Sequence, residues 1–390
     1  MVPVILLGGL NVVRALGLAG IPVIVASSER RTPSMASRYC KGVLELPPMG
    51  QDASSRDAIV DTLVRAATKF GARLPLFYDN DDRLTLVQEC RALLAPHFSL
   101  LLNEPALADA LLEKSRFQAL AERTGLPVPR RIEWHTLEAE RGPVLVKPRT
   151  RTAWDSSSVR LQLFGGAGKA RIFANGREAR ANALVAQLAA GLQFQEYVPG
   201  GDDAIWSFHG FAAPGGEVLA SFVGRKIRTY PALTGDSSYL RLARDSRLEA
   251  LGRDIAARLR LAGIFKMDFK RRPDGRFVLF EINTRFNLWH YLGAVSGVNL
   301  PQVAYRYLTG EKVETTAYRV RHRWLCLRED WRAHKAGQVS LPRWLLSLCY
   351  MPKVYDLFAW TDPLPFVRYW TGRIRSALSR RMPRWLAPAS

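Results

Sequence analysis

The sequence IFKMDFKRRPDGRFVLFEINTR, which runs from Ile264 to Arg285, contains two apolar segments on either side of a Pro-Asp-Gly turn. This pattern predicts a β-hairpin. Because side chains alternate along a strand, we expect Glu281, Asn283 and Arg285 to share one face of the second strand. Asp268 can face them from the first strand. The hairpin therefore predicts a polar cluster on an otherwise apolar sheet.

The chemistry of this cluster indicates a metal and a phosphate. Two carboxylates, an amide oxygen and an arginine are costly to bury unless they bind a partner. Hard oxygen ligands suit Mg²⁺ that is also held by phosphate oxygens, and an arginine can stabilise charge on a phosphoryl group. An exposed strand with ordinary polar alternation is the alternative interpretation. The apolar Phe280 and Ile282 between the polar residues favour a sheet with one packed face.

Three segments upstream of the hairpin add to this pattern. They are LEKSRF (112–117) followed by GLPVP (125–129), then PVLVKP (143–148), and then QEYVPG (195–200). With the hairpin, they resemble the motifs of the ATP-grasp superfamily in order and in approximate spacing, over about residues 103–310. The corresponding elements of that family are a lysine-bearing helix, a strand whose lysine contacts ATP phosphates, an adenine hinge and a Glu-x-Asn-x-Arg strand.

The resemblance implies ATP and Mg²⁺ as cofactors, and it implies roles for individual residues. The implied site consists of Lys114 and Lys147 for the phosphates, Glu196, Tyr197 and Val198 for the adenine, Asp203 for the ribose, Asp268, Glu281 and Asn283 for the metal, and Arg285 for catalysis. Two of these roles have an open alternative, since Lys114 could be a solvated helix residue and Asp203 a solvated loop acid. A lysine that closes a strand before a proline, as Lys147 does, is poorly explained by packing.

A pair of basic residues, Arg225 and Lys226, ends a strand-like segment that begins at Val218. Paired cations beside the metal strands would suit an acyl-phosphate intermediate and a carboxylate substrate, so we predict a catalytic role for both residues. A basic edge strand that prevents aggregation is the alternative.

The loop that follows Lys147 departs from the pattern of the family. Many members have a glycine-rich lid over the phosphates, whereas residues 149–158 contain no glycine. Arg151 and the hydroxyls of Ser156–Ser158 can still bind phosphate. We therefore expect a lid of different geometry.

We expect an α/β and α+β architecture in three parts. A buried strand at residues 3–7, a helix at 10–18 and a strand at 22–26 predict a Rossmann-like sheet. With the resemblance, this gives residues 1–102 as a Rossmann-like preATP-grasp domain, 103–315 as a two-lobed ATP-grasp domain, and 316–390 as a basic, tryptophan-rich C-terminal extension. His290, which follows the strand of Arg285, could line the substrate side or pack in the core.

The acidic segment at residues 79–82 follows a predicted strand at 74–78. Ligands bind at the C-terminal ends of strands in open α/β sheets, which favours a role in binding. Asp and Asn also favour helix N-caps, so capping of a helix at 83–94 is the alternative. Gly8 and Gly9 are too short a motif for a dinucleotide fingerprint, and we do not predict NAD binding.

The composition is that of a globular protein. The chain has 390 residues, of which 48% are hydrophobic, and it can form two or three domains. Four scattered cysteines without metal spacing are expected to be reduced, which predicts a cytoplasmic location. We expect neither a signal peptide nor a transmembrane helix.

The net charge of +21 predicts an anionic partner, unless a codon bias towards arginine accounts for it. The region from Arg319 to Ser390 holds 14 Lys and Arg against four Asp and Glu, together with six of the ten tryptophans. We expect short helices and turns there. This extension could pack on the core, lie on an anionic membrane surface at the inner face of the membrane, or bind nucleic acid, which is the least favoured partner.

The function that the resemblance implies is a ligase. ATP would phosphorylate a substrate carboxylate, and an amine or a thiol would attack the acyl phosphate. The motif order, the first domain and the Arg225-Lys226 pair look most like the carboxylate–amine ligases related to D-aspartate ligase. The alternative is a non-catalytic nucleotide-binding protein whose basic tail docks on anionic membrane or nucleic acid. The identity of the small-molecule carboxylate and amine, and a homodimeric state, stay open.

Overall fold

Three β-sheets organise the chain. The structure is a computed structural model that describes residues 1–50, 52–149, 161–164, 170–314 and 316–381. The sheets have five, four and seven strands. Short 3₁₀ helices occur in the connections, at Pro33–Ala36, Trp134–Ala139, Ala189–Gly191 and Asp202–Ala204.

The N-terminal sheet is parallel, with the strand order β3-β2-β1-β4-β5. Its strands are β1 (Val4–Leu7), β2 (Val23–Ser27), β3 (Cys40–Glu45), β4 (Leu74–Tyr78) and β5 (Phe98–Ser99). Its helices are α1 (Leu10–Leu18), α2 (Ala53–Thr68), α3 (Asp81–Glu89) and α4 (Arg91–Leu94). The strand order reverses between β1 and β4, the point at which open α/β sheets bind ligands. The predicted Rossmann-like sheet is confirmed.

A small antiparallel sheet follows two helices, α5 (Pro105–Leu112) and α6 (Lys114–Arg123). Its strands, in the order β6-β9-β7-β8, are β6 (Arg131–Ile132), β9 (Leu192–Glu196), β7 (Val144–Pro148) and β8 (Arg171–Phe173). Two short helices, α7 (Gly176–Ala181) and α8 (Ala183–Leu188), belong to the same unit. Val144, Val146 and Phe194 face the apolar core of this unit. Alternation along β7 therefore leaves Leu145 and Lys147 on the opposite face.

The large sheet has the order β14-β13-β10-β11-β12-β15-β16. Its first five strands are β10 (Ile205–Ala212), β11 (Val218–Tyr230), β12 (Asp236–Ala243), β13 (Gly263–Arg271) and β14 (Phe277–Asn283). The helices beside it are α9 (Ser246–Arg258), α10 (His290–Val295) and α11 (Leu300–Leu308). The predicted hairpin is the antiparallel pair β13–β14. The sequence pattern was therefore sufficient to locate the hairpin.

The strand that carries Arg225 and Lys226 is longer than the sequence predicted. It does not end at these residues, since β11 continues to Tyr230. Both residues pair with β12, and Arg225 also pairs with Trp206 of β10. The alternative of a basic edge strand is therefore wrong, because this part of β11 lies inside the sheet.

The N-terminal domain packs directly on the large sheet. Val12 and Leu16 of α1 share one apolar core with Leu300 of α11. The side-chain amide of Asn299 donates to the carbonyl of Ala15 at 2.6 Å. The domain is thereby fixed above the face of the sheet that carries the polar end of the hairpin.

The C-terminal extension completes the large sheet. Its strands β15 (Arg323–Leu325) and β16 (Lys353–Tyr355) add to β12, and its helices are α12 (Leu327–Lys335), α13 (Leu341–Cys349) and α14 (Leu364–Arg381). The prediction of short helices and turns missed both strands and the length of α14. Proline did not prevent this helix, since Pro365 lies in its first turn, where no N–H is needed. The domain boundaries at residues 102 and 315 stay predictions.

Two buried carboxylates attach this extension to the rest of the protein. Asp330 accepts hydrogen bonds from Arg228 of β11, at 2.8 and 2.7 Å. Asp362 forms an ion pair with Arg14 of α1 at 3.0 Å, with both side chains fully buried. Residues 323–362 thus pack on the core, which is one of the alternatives left open by the sequence.

Over the stretches of chain with described coordinates, none of the helices is both long enough and apolar enough to cross a bilayer.

Candidate functional site

A cavity of about 620 Å³ lies where the three sheets meet. The small sheet forms one wall, the large sheet the facing wall, and the loops after β1 and β4 close one end. Its charged lining residues are Asp79, Lys114, Lys147, Glu196, Lys226, Asp236, Lys266, Asp268, Lys270, Glu281 and Arg285. Such a concentration of charge around a concave space indicates a site for a charged ligand.

The polar end of the hairpin forms part of the facing wall. Asp268 pairs directly with Glu281 across β13 and β14, and a register shift follows this pair. A bulge of this kind re-aims side chains. Asn283 donates a hydrogen bond from its amide nitrogen to Glu281 at 2.9 Å. The predicted metal residues are therefore adjacent in the fold.

Asp268 is a buried carboxylate held by two donors. The hydroxyl of Ser207 donates to its Oδ1 at 2.8 Å, and Nζ of Lys266 lies 2.5 Å from its Oδ2. Burial opposes ionisation, but the charges of Lys266 and Lys226 and these hydrogen bonds keep the pKa of Asp268 below its usual value. The carboxylate is thus charged at neutral pH and faces the cavity.

The donor set fits a divalent cation. Two carboxylates that oppose each other on neighbouring strands repel unless a cation lies between them. Across the described residues, no group of three or more His, Cys, Asp or Glu side chains could hold a metal. A cation here would therefore need the two carboxylates, the amide oxygen of Asn283 and oxygens from a ligand, which is the coordination typical of Mg²⁺ with a nucleotide.

Arg285 connects the hairpin to the N-terminal domain. Its Nε lies 2.5 Å from Oδ1 of Asp81, at the start of α3. Burial opposes the charge of the guanidinium, whereas the bond to Asp81 and the nearby acids raise the pKa of Arg285. Its Nη2 also contacts Oδ1 of Asn283 at 3.4 Å. Arg285 therefore stands between a structural partner and the predicted metal site.

The residues of the acidic segment after β4 have different positions in the structure. Asn80 caps α3 by accepting from the N–H of Arg83 at 2.9 Å, as the capping alternative predicted. Asp79 lines the cavity and accepts from the backbone N–H of Gly9 at 2.5 Å. A Cβ at Gly9 would lie 3.0 Å from that carboxylate, a close contact that glycine avoids. The capping interpretation thus holds for Asn80, whereas a binding role for Asp79 stays a prediction.

The opposite wall carries the predicted phosphate lysines. Lys147, from β7, and Lys114, at the start of α6, both line the cavity. Burial lowers the pKa of Lys147 to about 7, with a further contribution from the charge of Lys114, while Glu281 opposes the shift. An anion between the two walls would restore the charge of Lys147.

The hinge residues lie at the other end of the small sheet, since Glu196 pairs with Val144 whereas Lys147 pairs with Gln193. Glu196 and Tyr197 line the cavity, and Val198 is buried beside them. The carboxylate of Glu196 is bonded to Arg272 and so is turned away from a ligand role. Leu145 and Ile172 line the neighbouring wall and offer an apolar surface. A flat aromatic ring with polar edges would suit this end of the cavity.

Arg225 and Lys226 point to opposite sides of β11. Lys226 lines the cavity. Arg225 instead donates to the backbone oxygen of Asp203 at 2.6 Å and to its carboxylate at 2.9 Å, and it lies over the ring of Trp206. Neither Arg225 nor Asp203 is among the described residues that line the cavity. The structure therefore brings Lys226 to the site but places Arg225 and Asp203 against each other.

Sequence reasoning missed several lining residues. Lys266 and Lys270 lie on the same face of β13 as Asp268, a placement that alternation could have revealed. Burial lowers the pKa of Lys270 to about 8, although Asp202 opposes the shift. Trp289 lies over Gly224, where a Cβ would be 2.0 Å from the indole ring. No sequence pattern indicated that contact.

The two buried histidines belong to the packing below the cavity. His209 stacks on Phe222 with ring centroids 4.5 Å apart. Burial lowers the pKa of His290 to about 3, and the charge of Lys266 adds to this effect. His290 is therefore neutral and packed, which was one of its two alternatives.

Arg151 and Ser156–Ser158 of the predicted lid lie outside the described residues.

Comparison with known proteins gives the fold. Residues 212–326 match the family described as "ATP-grasp in the biosynthetic pathway with Ter operon". No curated protein matches the chain.

Solved structures match most of the chain. The biotin carboxylase of Campylobacter jejuni in complex with β-γ-ATP has a TM-score of 0.60 and 13% identity, over 82% of this chain and 74% of that chain. The biotin carboxylase domain dimer of Hydrogenobacter thermophilus 2-oxoglutarate carboxylase, with MgADP and bicarbonate, has a TM-score of 0.58 and 15% identity, over 82% and 73%. The L-amino acid ligase of Bacillus licheniformis has a TM-score of 0.54 and 16% identity, over 78% and 73%. The expected ATP-grasp fold is confirmed, whereas the roles of single residues stay predictions.

Proposed function

We propose that this chain, which has the ATP-grasp ligase fold, is an ATP-dependent carboxylate–amine ligase. The observation that carries the proposal is the facing of Lys147 and the Asp268–Glu281 pair across one cavity. Cations on one wall and hard oxygen ligands on the other suit a nucleotide triphosphate and its metal.

In the proposed first step, a carboxylate oxygen of the substrate attacks the γ-phosphorus of ATP. The bond from this phosphorus to the β–γ bridging oxygen breaks, and ADP leaves. Lys114 and Lys147 bind the phosphates, and Arg285 stabilises the charge that develops on the transferring group. The hinge at Glu196, Tyr197 and Val198 would position the adenine.

In the proposed second step, an amine nitrogen attacks the acyl carbon. The amine loses a proton, and the bond from carbon to the phosphate oxygen breaks to give an amide and inorganic phosphate. Lys226 and Lys266, which both line the cavity, would orient the carboxylate and stabilise the oxyanion. Arg225 would act through Asp203 and Trp206 rather than on the substrate.

We assign the cation site to Asp268, Glu281 and Asn283. Mg²⁺, when bound there, would neutralise phosphate charge and polarise the transferring phosphoryl group. Lys266 neutralises Asp268 in this structure, and it would also be within reach of the ligands of a cation held there. The MgADP of the Hydrogenobacter thermophilus domain supports this choice of cofactor by analogy of fold.

The test is an assay of ADP release from the full chain with Mg²⁺ and ATP, over a panel of amino acids and small peptides. We expect ADP release to depend on both a carboxylate and an amine, with an amide product detected by mass spectrometry. Positional isotope exchange in ATP, with the carboxylate alone, reports the first step.

Two results would overturn the proposal. Tight ATP binding without turnover on any member of a broad panel and without isotope exchange would favour the non-catalytic nucleotide-binding protein. Turnover that yields AMP and pyrophosphate would replace the acyl phosphate with an adenylate.

The cytoplasmic location and the homodimer stay predictions, which fractionation and sedimentation would test.

A further inference from the structure

The C-terminal extension exposes an unusual amount of apolar surface. More than half of the large apolar side chains that the described residues expose lie between Val320 and Ile374. Trp360 is the extreme case, with 89% of its surface exposed. Single exposed apolar residues need no explanation, but a concentration of them marks a binding surface.

Helix α13 contributes one apolar stripe to this surface. Leu341, Leu345 and Leu346 are exposed, with Leu346 at 68%. Trp344 of the same helix is buried and donates to Asp330 at 3.0 Å. The helix is therefore anchored through Trp344 and presents its leucines to solvent.

Helix α14 contributes a second stripe. Leu364, Val367, Trp370 and Ile374 follow one another at intervals of three or four residues, and all four are exposed. This spacing places them along one side of a helix. A stripe of this kind, with arginines beside it, is typical of helices that lie in a membrane interface.

An aromatic groove of about 830 Å³ lies among α12, α13 and α14. Phe358 contacts Trp360 and Phe366, with ring centroids 4.8 and 5.6 Å apart. The aromatic residues that line the groove are Trp331, Trp344, Tyr355, Phe358, Trp360, Phe366, Tyr369 and Trp370. Indole and phenol rings combine an apolar body with a polar tip, so they favour the boundary between lipid and water.

The acidic side chains around the groove are buried or paired, so the net charge at its surface is positive. Asp330 and Asp362 are buried in ion pairs with Arg228 and Arg14. Glu329 bonds to two arginines on the surface of α12, and Asp356 is a partly buried acceptor for the thiol of Cys326. The acidic residues of the described extension are thus withdrawn or neutralised.

The arginines remain at the surface. Arg343 on α13 and Arg368 and Arg373 on α14 are exposed beside the apolar stripes. Cationic side chains near a bilayer with anionic lipid each contribute about 1 kcal/mol to binding. The surface therefore has both components of an electrostatic and hydrophobic membrane contact.

We propose that α13, α14 and the aromatic groove bind the surface of a bilayer that contains anionic lipid, and hold the cavity of the protein beside it. Since no described helix can span the bilayer, the contact is at the interface. This inference is independent of the reaction in the cavity.

Two other occupants fit the observations less well. Nucleic acid would use the arginines but would leave the aliphatic stripes of Leu346, Val367 and Ile374 without a partner. A second copy of the chain, packed through the same face, would bring the exposed arginines of both copies together, since a two-fold interface is self-complementary in position. An anionic lipid surface satisfies both the charge and the apolar area.

The experiment is sedimentation of the full chain with vesicles of phosphatidylcholine, with and without phosphatidylglycerol, at low and high salt. We expect pelleting with the anionic vesicles and its reduction by salt. Quenching of tryptophan fluorescence by lipids with brominated chains should accompany pelleting.

Two triple variants separate charge from apolar contact. Arg343→Gln, Arg368→Gln and Arg373→Gln together should weaken binding to anionic vesicles about 100-fold. Leu346→Ser, Trp360→Ser and Val367→Ser together should abolish the quenching by brominated chains. All six side chains are exposed, so the fold should survive, which a melting curve checks.

Matched controls come from exposed residues elsewhere in the chain. Arg31→Gln, Arg123→Gln and Arg177→Gln remove the same charge, and Leu18→Ser, Val43→Ser and Leu93→Ser remove apolar surface. Neither control should change vesicle binding.

Three outcomes overturn the proposal. One is equal, negligible pelleting with both kinds of vesicle. Another is a salt-sensitive complex with a single-stranded oligonucleotide in the absence of vesicle binding, which would assign the surface to nucleic acid. The third is a dimer that the apolar triple variant dissociates while vesicles bind nothing, which would assign it to a second copy.

Discussion

Two buried regions of the molecule hold carboxylates in different ways. In the C-terminal attachment, Asp330 accepts from Arg228, from Ser238 at 2.9 Å and from the indole of Trp344 at 3.0 Å. In the cavity, Asp268 is bonded to Ser207 and Lys266. A carboxylate has about four acceptor positions. The donors around Asp330 fill them, whereas those around Asp268 leave capacity on the side of the cavity.

The number of donors around a buried carboxylate distinguishes one that attaches the extension to the core from one that can bind a ligand. A fully bonded buried carboxylate gains nothing from a further ligand, so Asp330 serves to fix the extension on the core. A carboxylate with acceptor positions left on the side of a cavity can bind a further ligand there. Burial and charge alone would not distinguish the two, since both regions contain a carboxylate beside a cation.

The largest effect should come from breaking the attachment. Asp362→Ala leaves Arg14 buried without its counter-charge, so we expect a loss of about 3–5 kcal/mol in the free energy of unfolding. Urea unfolding at neutral pH measures this loss. The exposed pair of Asp254 and Arg258 is the control, because Asp254→Ala should cost about 0.5 kcal/mol or less.

A loss below about 1 kcal/mol for Asp362→Ala would contradict the structural role of this pair. If the variant does not fold, Arg14→Met combined with Asp362→Leu keeps the test available, because removal of both charges should recover part of the stability.

The complementary change in the cavity should affect turnover and spare stability. Glu281→Gln is expected to slow Mg²⁺-dependent ATP turnover by about 10²–10³, the effect of one electrostatic group at a transition state. Its unfolding curve should match that of the wild type. Glu217→Gln, at an exposed position in the turn between β10 and β11, should change neither property. Wild-type turnover with unchanged Mg²⁺ dependence in Glu281→Gln would remove this residue from the metal site.

A third change tests the wall opposite Asp268. Lys147→Ala removes a charged donor from the proposed phosphates, so ATP affinity should fall by about 1.5–3 kcal/mol. Titration calorimetry of the full chain measures the affinity, with Lys69→Ala on the surface of the N-terminal domain as control. If ATP affinity and turnover are both unchanged, Lys147 does not contact the nucleotide.

The smallest effect concerns pH. Because the pKa of Lys147 lies at about 7 without ligand, the lysine is charged below this pH and loses its proton above it. ATP needs the charged form, so affinity should fall as the pH rises above 7, by up to about tenfold per unit. Calorimetry at pH 8 in buffers of different ionisation enthalpy should show uptake of nearly one proton. In Lys147→Arg, which stays charged, this uptake should disappear, and its persistence would assign the proton to another group.

The sequence predicted the elements of the site better than its assembly. The hairpin, the lysine strand and the Rossmann-like sheet followed from alternation, turn residues and motif order, which act over a few residues. The same rules could have placed Lys266 on the face of Asp268. They did not predict the true length of β11, because residues 227–230 look like a loop until their pairing with β12 is known.

What the sequence alone determined was the ATP-grasp fold and a set of candidate residues on it. Only the tertiary structure decided which of them meet: it brought Lys147 to face Asp268, turned Arg225 away towards Asp203, and set Asp79 and Asp81 beside the hairpin. It also decided that Arg14 and Asp362 would be buried together. These contacts join residues far apart in the chain, and their energy depends on the burial and the number of donors around each group, which local sequence patterns do not contain.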